Sequence, residues 1–434
     1  MVSKDPRTRL EQLARARHLS LADFLREFPR QAKGAGEGNS VHVSERQAKR
    51  WFRGGAPVPR SVSCRVLEFW FGEPVKHLLG PPKFEVAGHA ITEEELLVST
   101  ARESSEHALD ASSALDPSAL ENLVAMADRA AVEYYTTPSG EMLTDLVRLR
   151  NTVYEQLDRT NKPRQKAELY LIAGQVCGLL ASVTWDLGRP HVSEEQARAA
   201  HTYGSVIDHR SLQAWARALQ VTVAFWDGRP RQAIAIADTA LETAPSGTAR
   251  ARLHSVKARA LALRGARQEV QQELAKAAEE LDRAGGDTFL DEVGGELGFD
   301  RSRRALCAGA AFVTLGDGDQ AEIEALDALV LFAERPELSR WGAGESGARI
   351  DLGAARVLRG DLAGAEEALR PVLDLDSSRR TEAISLRMQK LRAMLSTARY
   401  RGAGEALQLG DEIEDFTAHS LSRTSTVRLI TDVQ

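Results

Sequence analysis

Cysteine is scarce in this 434-residue chain: Cys64, Cys177 and Cys307 stand far apart, with no CxxC pair. That spacing excludes a zinc knuckle and a disulfide framework and leaves three buried thiols as the expectation. No apolar run approaches the roughly 20 residues a membrane-crossing helix needs, and the start, MVSKDPRTRLEQLA, has no secretory apolar core. A cytoplasmic protein without a membrane partner is therefore expected. GxxxxGK[ST], HExxH and GxSxG are all missing, and the ten histidines are scattered singly, so no enzyme, metal or cofactor is expected. One GxGxxG match, GAGESG at 342–347, follows PELSRW rather than a strand and reads as a loop between helices.

Charge is unevenly spread. The net charge is −6, yet residues 1–80 carry 15 Lys and Arg against 8 Asp and Glu, a surplus of +7 that leaves −13 for the rest. A basic head on an acidic body is the asymmetry expected when one end docks on phosphates and the other avoids them.

The head reads as five short helices. Asp5-Pro6 offers a cap and an N1 proline for the first, which ends near Arg17. Ser20 caps a second with Leu21, Phe24, Leu25 and Phe28 at helical spacing and Pro29 near its end. Residues 34–43, GAGEGNSVHV, break any helix. The stretch SERQAKRWFRG, 44–54, then reads as a helix built to present polar side chains. Ser44 and Gln47 form a capping box, Ala48 and Trp51 turn inward, and Gly54 ends it. Left outside are Glu45, Arg46, Gln47, Lys49 and Arg50, a set suited to base edges and phosphates. A fourth helix carries Val62, Val66, Leu67 and Trp70 and stops at Gly72, and EPVKHLLG makes a short fifth.

This pattern, VSERQAKRWFRG followed by PVPRSVSCRVLEFWFGEPVKHLLGPP, resembles the helix-turn-helix domain of the Cro and lambda-repressor (Xre) family in the form common in actinobacterial regulators. The resemblance covers residues 1–80. It implies that Glu45, Arg46, Gln47 and Lys49 face base edges in the major groove of double-stranded DNA, with Arg50 and Arg53 on phosphates and Ser44 also among the DNA-binding residues. Two departures stand out: Phe52, where many members carry Glu, and the 34–43 insertion, which lengthens the turn.

Residues 81–92, PPKFEVAGHAIT, read as a linker, and helical signals fill 93–416. Glycines at 188, 228, 265, 316 and 360 each follow an apolar helix and precede an Ala-rich one, at intervals of 40, 37, 51 and 44 residues, the period of a helical-hairpin stack with some loops enlarged. The unit 212–245, LQAWARALQVTVAFWDGRPRQAIAIADTALETAP, resembles a tetratricopeptide repeat, with Gly228 at the turn, Ala233 and Ala240 where helices press together, and Pro245 at the close. Ala321 and Ala328 repeat part of this, and Ala365 and Leu369 repeat more. The resemblance implies an all-α chain: a five-helix head, then a right-handed tetratricopeptide solenoid that dimerises and binds a signalling peptide or small ligand in its concave groove. Residues on first helices that could line it are Arg148, Asn151, Tyr154, Tyr170, Gln175, Trp215 and Gln220. The tail, 417–434, lacks helical period and is expected to be irregular, with 426–433 as a strand-like run able to lie along a groove.

Two function classes follow. The first is a DNA-binding transcription regulator with a ligand-sensing, homodimeric body. The alternative is a protein-interaction scaffold whose head no longer binds DNA. A tetratricopeptide phosphatase has no catalytic constellation to support it.

Overall fold

In the computed structural model, which describes residues 6–37, 41–54, 59–82, 100, 115–335 and 341–424, every regular element is helical and no strand occurs among the described residues. Two units divide the chain, Met1–Arg102 and Glu103–Gln434. The expected linker lies mostly outside the described residues.

In the first unit the helices are α1 (Arg9–Ala16), α2 (Leu21–Gly34), α3 (Glu45–Arg53), α4 (Ser61–Phe71) and α5 (Val75–Leu78). α1 begins later than Asp5-Pro6 suggests, because the Thr8 hydroxyl accepts from the Glu11 N–H and so fixes the first turn there. α2 runs on through Pro29, since Phe24, Phe28 and Ala32 on one face are fully buried on both sides of the proline and outweigh one lost backbone bond. Phe24 is the hub of the core: Phe28, Phe52 and Trp70 surround it at 5.9, 5.1 and 4.9 Å between ring centroids. Phe52 thus belongs to the core edge, which accounts for an aromatic residue after Trp51.

The second unit continues with α6 (Pro117–Glu133), α7 (Ser139–Arg159), α8 (Pro163–Asp186), α9 (Pro190–Val206), α10 (Arg210–Trp226), α11 (Pro230–Thr243), α12 (Thr248–Ala262), α13 (Arg267–Leu281), α14 (Arg301–Thr314), α15 (Gly318–Ala333), α16 (Gly342–Arg359), α17 (Leu362–Leu373), α18 (Glu382–Leu395), α19 (Gly404–Ala418) and α20 (Leu421–Thr424). Each helix from α8 to α16 packs on the next, and α8, α10, α12, α14, α16 and α18 also pack on one another in series. The result is an inner and an outer layer. Burial separates them: α11 buries only the stripe Ala233, Ala237 and Ala240, whereas α8 buries almost every residue from Ile172 to Thr184. Because α18 also meets α8, the inner layer closes on itself.

The five turn glycines all sit in the left-handed region, with φ of 70°, 71°, 71°, 73° and 93° at 188, 228, 265, 316 and 360, where a side chain would be strained. After four of them the next helix starts on Pro190 or Pro230 at N1, or under an Asp317 or Asp361 cap; after Gly265 it starts without either. At 24 residues α8 is, among the described helices, the one long and apolar enough to cross a membrane, contrary to the sequence expectation; 78% of that apolar stretch is buried by its neighbours, which accounts for its composition.

Two further expectations change. GAGESG at 342–347 is the start of α16 rather than a loop, because Trp341 lies where a Cβ on Gly344 would fall, so the glycine lets the ring cover the helix start. The tail begins ordered: Ser420 is buried, the Leu421 N–H donates to the Arg380 carbonyl at 3.1 Å, and Ser422 lies against Gly188. The run 426–433 lies outside the described residues.

Candidate nucleic-acid interface and ligand cavity

α3 carries the first candidate site. Ser44 accepts from the Gln47 N–H at 3.3 Å while the Gln47 side chain reaches the Ser44 N–H at 3.2 Å, so the capping box closes as its sequence suggests. Ala48 and Trp51 anchor the helix from below, Trp51 beside Phe28 at 6.1 Å. That leaves Ser44, Glu45, Arg46, Gln47, Lys49, Arg50 and Arg53 exposed, and all but Gln47 line one shallow surface depression. Lys49 pairs with Glu45 at 2.5 Å, which pulls the Glu45 carboxyl below its ordinary range. Arg46, Arg50 and Arg53 have no ion pair among the described residues. Three unpaired guanidiniums on one short face suit phosphate oxygens and base edges.

The second site is a partly open cavity of about 170 Å³ among the inner helices of the second unit. Its walls mix aromatic rings, Trp185, Trp226, Phe299 and Trp341, with the arginines Arg252, Arg259, Arg303 and Arg387. Two of these arginines are paired. Arg387 places one nitrogen 2.9 and 3.0 Å from both oxygens of buried Asp351, and Arg303 lies 3.2 Å from Glu296. Glu296 also accepts from Ser182 at 3.0 Å. Arg252 donates to three carbonyls, those of Glu296, Leu297 and Gly298, at 3.0, 2.9 and 2.5 Å.

Arg259 is different. Its guanidinium lies over Phe225 at 4.4 Å and Trp226 at 4.9 Å and has no carboxylate at ion-pair distance among the described residues. Burial, then the charge of Arg387, pulls its pKa down to about 10. Lys390 stands over the same Trp226 ring at 4.6 Å, drawn down to about 8 by desolvation and by Arg259 and Arg387. At the other end Tyr134 donates to Asp186 at 2.7 Å; burial raises the Asp186 carboxyl to about 7, against that hydrogen bond. Thr381 Oγ1 lies on the wall buried and without a hydrogen-bond partner among the described residues.

The enlarged 51-residue interval explains part of this wall. Residues 282–300 fold inward instead of looping out: Phe289 and Leu290 are buried, Phe289 packs on Trp215 at 6.1 Å, and the Glu296 N–H donates to the Ala131 carbonyl at 2.9 Å. Gly295, with φ 53°, permits the approach, since a Cβ there would lie 2.1 Å from the Ala131 oxygen. Glu296 and Phe299 reach the cavity from this insert.

None of the seven ligand residues expected from sequence lines the cavity. Arg148 and Asn151 are exposed on α7, where Asn151 accepts from Arg150 and Arg148 lies 3.7 Å from Asp145. Tyr154 and Tyr170 gather around Tyr203, at 6.5 and 5.7 Å. Gln175 donates to Asp128 at 3.0 Å, Gln220 accepts from Arg217 at 2.8 Å, and Trp215 is a core ring. The four cavity arginines lie on three helices spread over 135 residues of sequence and are flanked by other, surface arginines, so no spacing groups them; the signal in the sequence is Arg252 and Arg259, seven residues apart on one face of the Ala-rich α12. Comparison of the chain with family models and with curated proteins gave no match.

Proposed function

We propose that this chain is a sequence-specific DNA-binding transcription regulator, with a helix-turn-helix head of the Xre type and a tetratricopeptide-type solenoid that dimerises and senses a ligand. The observation that carries the reading is α3: a capped helix, anchored by Ala48 and Trp51, whose outer face holds Arg46, Arg50 and Arg53 without ion pairs among the described residues. In this reading Glu45, Arg46, Gln47 and Lys49 read base edges and Arg50 and Arg53 hold phosphates. The Glu45–Lys49 pair is exposed and screened by solvent, so docking breaks it at little cost. Two heads must then meet one face of the duplex about 34 Å apart or a multiple of it, so curvature of the body controls binding. The alternating layers and the glycine turns support the solenoid reading, and the protein is read as cytoplasmic, without a cofactor.

A ten-residue connection, 35–44, separates α2 from α3 and favours the second reading, a scaffold with a non-binding head. Salt-dependent DNA binding separates the two. Arg46→Ala should relax sequence preference, while Arg53→Ala should weaken binding to all sequences and lower the slope of log K against log salt by about 0.9. Equal effects of both substitutions defeat the division of roles, and no DNA affinity in the parent protein favours the scaffold.

A further inference from the structure

The inner cavity combines features that a merely structural core does without. A buried guanidinium is costly unless paired, and replacing it with apolar packing is often stabilising. Arg387 and Arg303 have their carboxylates and Arg252 its three carbonyls, but Arg259 has no carboxylate at ion-pair distance among the described residues: it rests on aromatic faces and a hydrogen bond with the Cys307 side chain, with the like charges of Arg387 and Lys390 nearby and Asp351 attracting it only from beyond ion-pair distance. The wall also leaves the Thr381 hydroxyl buried and without a hydrogen-bond partner among the described residues. Four guanidiniums therefore meet two carboxylates, Asp351 and Glu296, with Asp186 held near half ionisation at neutral pH by burial. The excess is positive and is concentrated at Arg259.

We propose that the inner cavity of the second unit binds a small aromatic monocarboxylate, its carboxylate on Arg259 and its ring within the apolar wall formed by Val223, Val256, Leu306 and Ile384. Size sets the ring: an apolar cavity of about 150 Å³ accommodates a benzene molecule, and this one measures about 170 Å³. Charge sets the head group: a planar fork matches a carboxylate, and one unpaired guanidinium matches one negative charge. Shape disfavours a peptide, because an extended chain needs a groove open along the stack, whereas here the inner layer closes where α18 meets α8. Ligand seated on Arg259 also bears on Trp226 of α10 and, through Arg387 and Lys390 on that ring, on α18. Occupancy thereby draws together elements that close the ring. The inference rests on the ligand-sensing half of the function proposed above and is independent of the DNA-binding half.

The test uses the full chain and phenylacetate, with 2-phenylethanol, phenethylamine and inorganic phosphate as comparison probes, followed by calorimetry and by tryptophan fluorescence, since three tryptophans line the cavity. Saturable phenylacetate binding, at least tenfold tighter than the alcohol and not seen with the amine, is expected. Arg259→Gln should weaken it at least tenfold and Arg259→Lys less. Equal affinity for the alcohol or the amine, competition by phosphate at equal concentration, no saturable binding up to millimolar phenylacetate, or an unchanged affinity in Arg259→Gln overturns the proposal. If Arg259→Gln fails to fold, the four-probe comparison on the parent protein decides alone. No DNA enters the experiment, so its failure leaves the operator reading standing, and a failure to bind DNA leaves this site standing.

Discussion

Gly178→Ala is the sharpest perturbation of the inner layer. The residue lies mid-helix in α8, where alanine is favoured over glycine by about 1 kcal/mol. Packing opposes that gain. A Cβ there would fall 2.1, 2.4 and 2.9 Å from three atoms of the Trp215 indole, and Trp215 is 1% exposed, so the ring has nowhere to swing. Overpacking costs about 1–3 kcal/mol and here belongs at the upper end, leaving a net loss of about 2 kcal/mol. Gly410→Ala is the matched control: also helical, it has nothing within 4 Å of its Cβ position, so it should gain about 0.5–1 kcal/mol. Urea titration followed by far-ultraviolet circular dichroism reads both as shifts of midpoint at constant slope. Trimming the ring with Trp215→Phe should relieve the clash, so the double variant should lose at least about 1 kcal/mol less than the two single losses combined. A Gly178→Ala protein as stable as the parent, or additive losses, refutes the packing argument.

Asp186→Asn should stabilise the second unit in neutral solution. A carboxyl raised from 3.8 to about 7 opposes folding increasingly as pH rises between those values, at about 1.4 kcal/mol per unit, so the gain should grow from near zero at pH 4 to at most ~4 kcal/mol by pH 8; a gain that is flat across that range contradicts the assignment. Ser44→Ala removes the cap of α3 and should cost the first unit about 1 kcal/mol by thermal or urea unfolding. It should also weaken DNA binding more than it weakens folding, whereas equal losses place Ser44 in folding alone.

Local grammar was what the sequence made legible. The Ser44–Gln47 box, the inward Ala48 and Trp51, and the stop at Gly54 are all contained in eleven residues, and the structure forms them as the side chains dictate. The five turn glycines were equally readable, because a left-handed helix stop admits few other residues. Non-local facts were not. Whether 282–300 loops outward or folds inward depends on Gly295 meeting the Ala131 carbonyl, 164 residues earlier in the chain. The cavity gathers side chains from at least five inner helices and that insert, so no spacing rule assembles Arg259, Trp226, Glu296 and Arg387. For the same reason Gln175, Trp215 and Gln220 looked like groove residues: they lie on inner helices, yet they point between helices rather than into the opening. The 342–347 glycines misled through composition, since a glycine that admits a covering tryptophan reads like a breaker.

The central claim is that α3 reads DNA. Selection of bound fragments from a randomised duplex pool by the full chain, with the winners' affinity followed against salt, tests it most directly. A two-part palindrome with half-sites one or more helical turns apart, bound about 10³-fold or more tighter than random duplex and losing sequence preference on Arg46→Ala, is the predicted result. Failure to enrich any sequence, both with the purified protein alone and in an extract of the host cells, contradicts it.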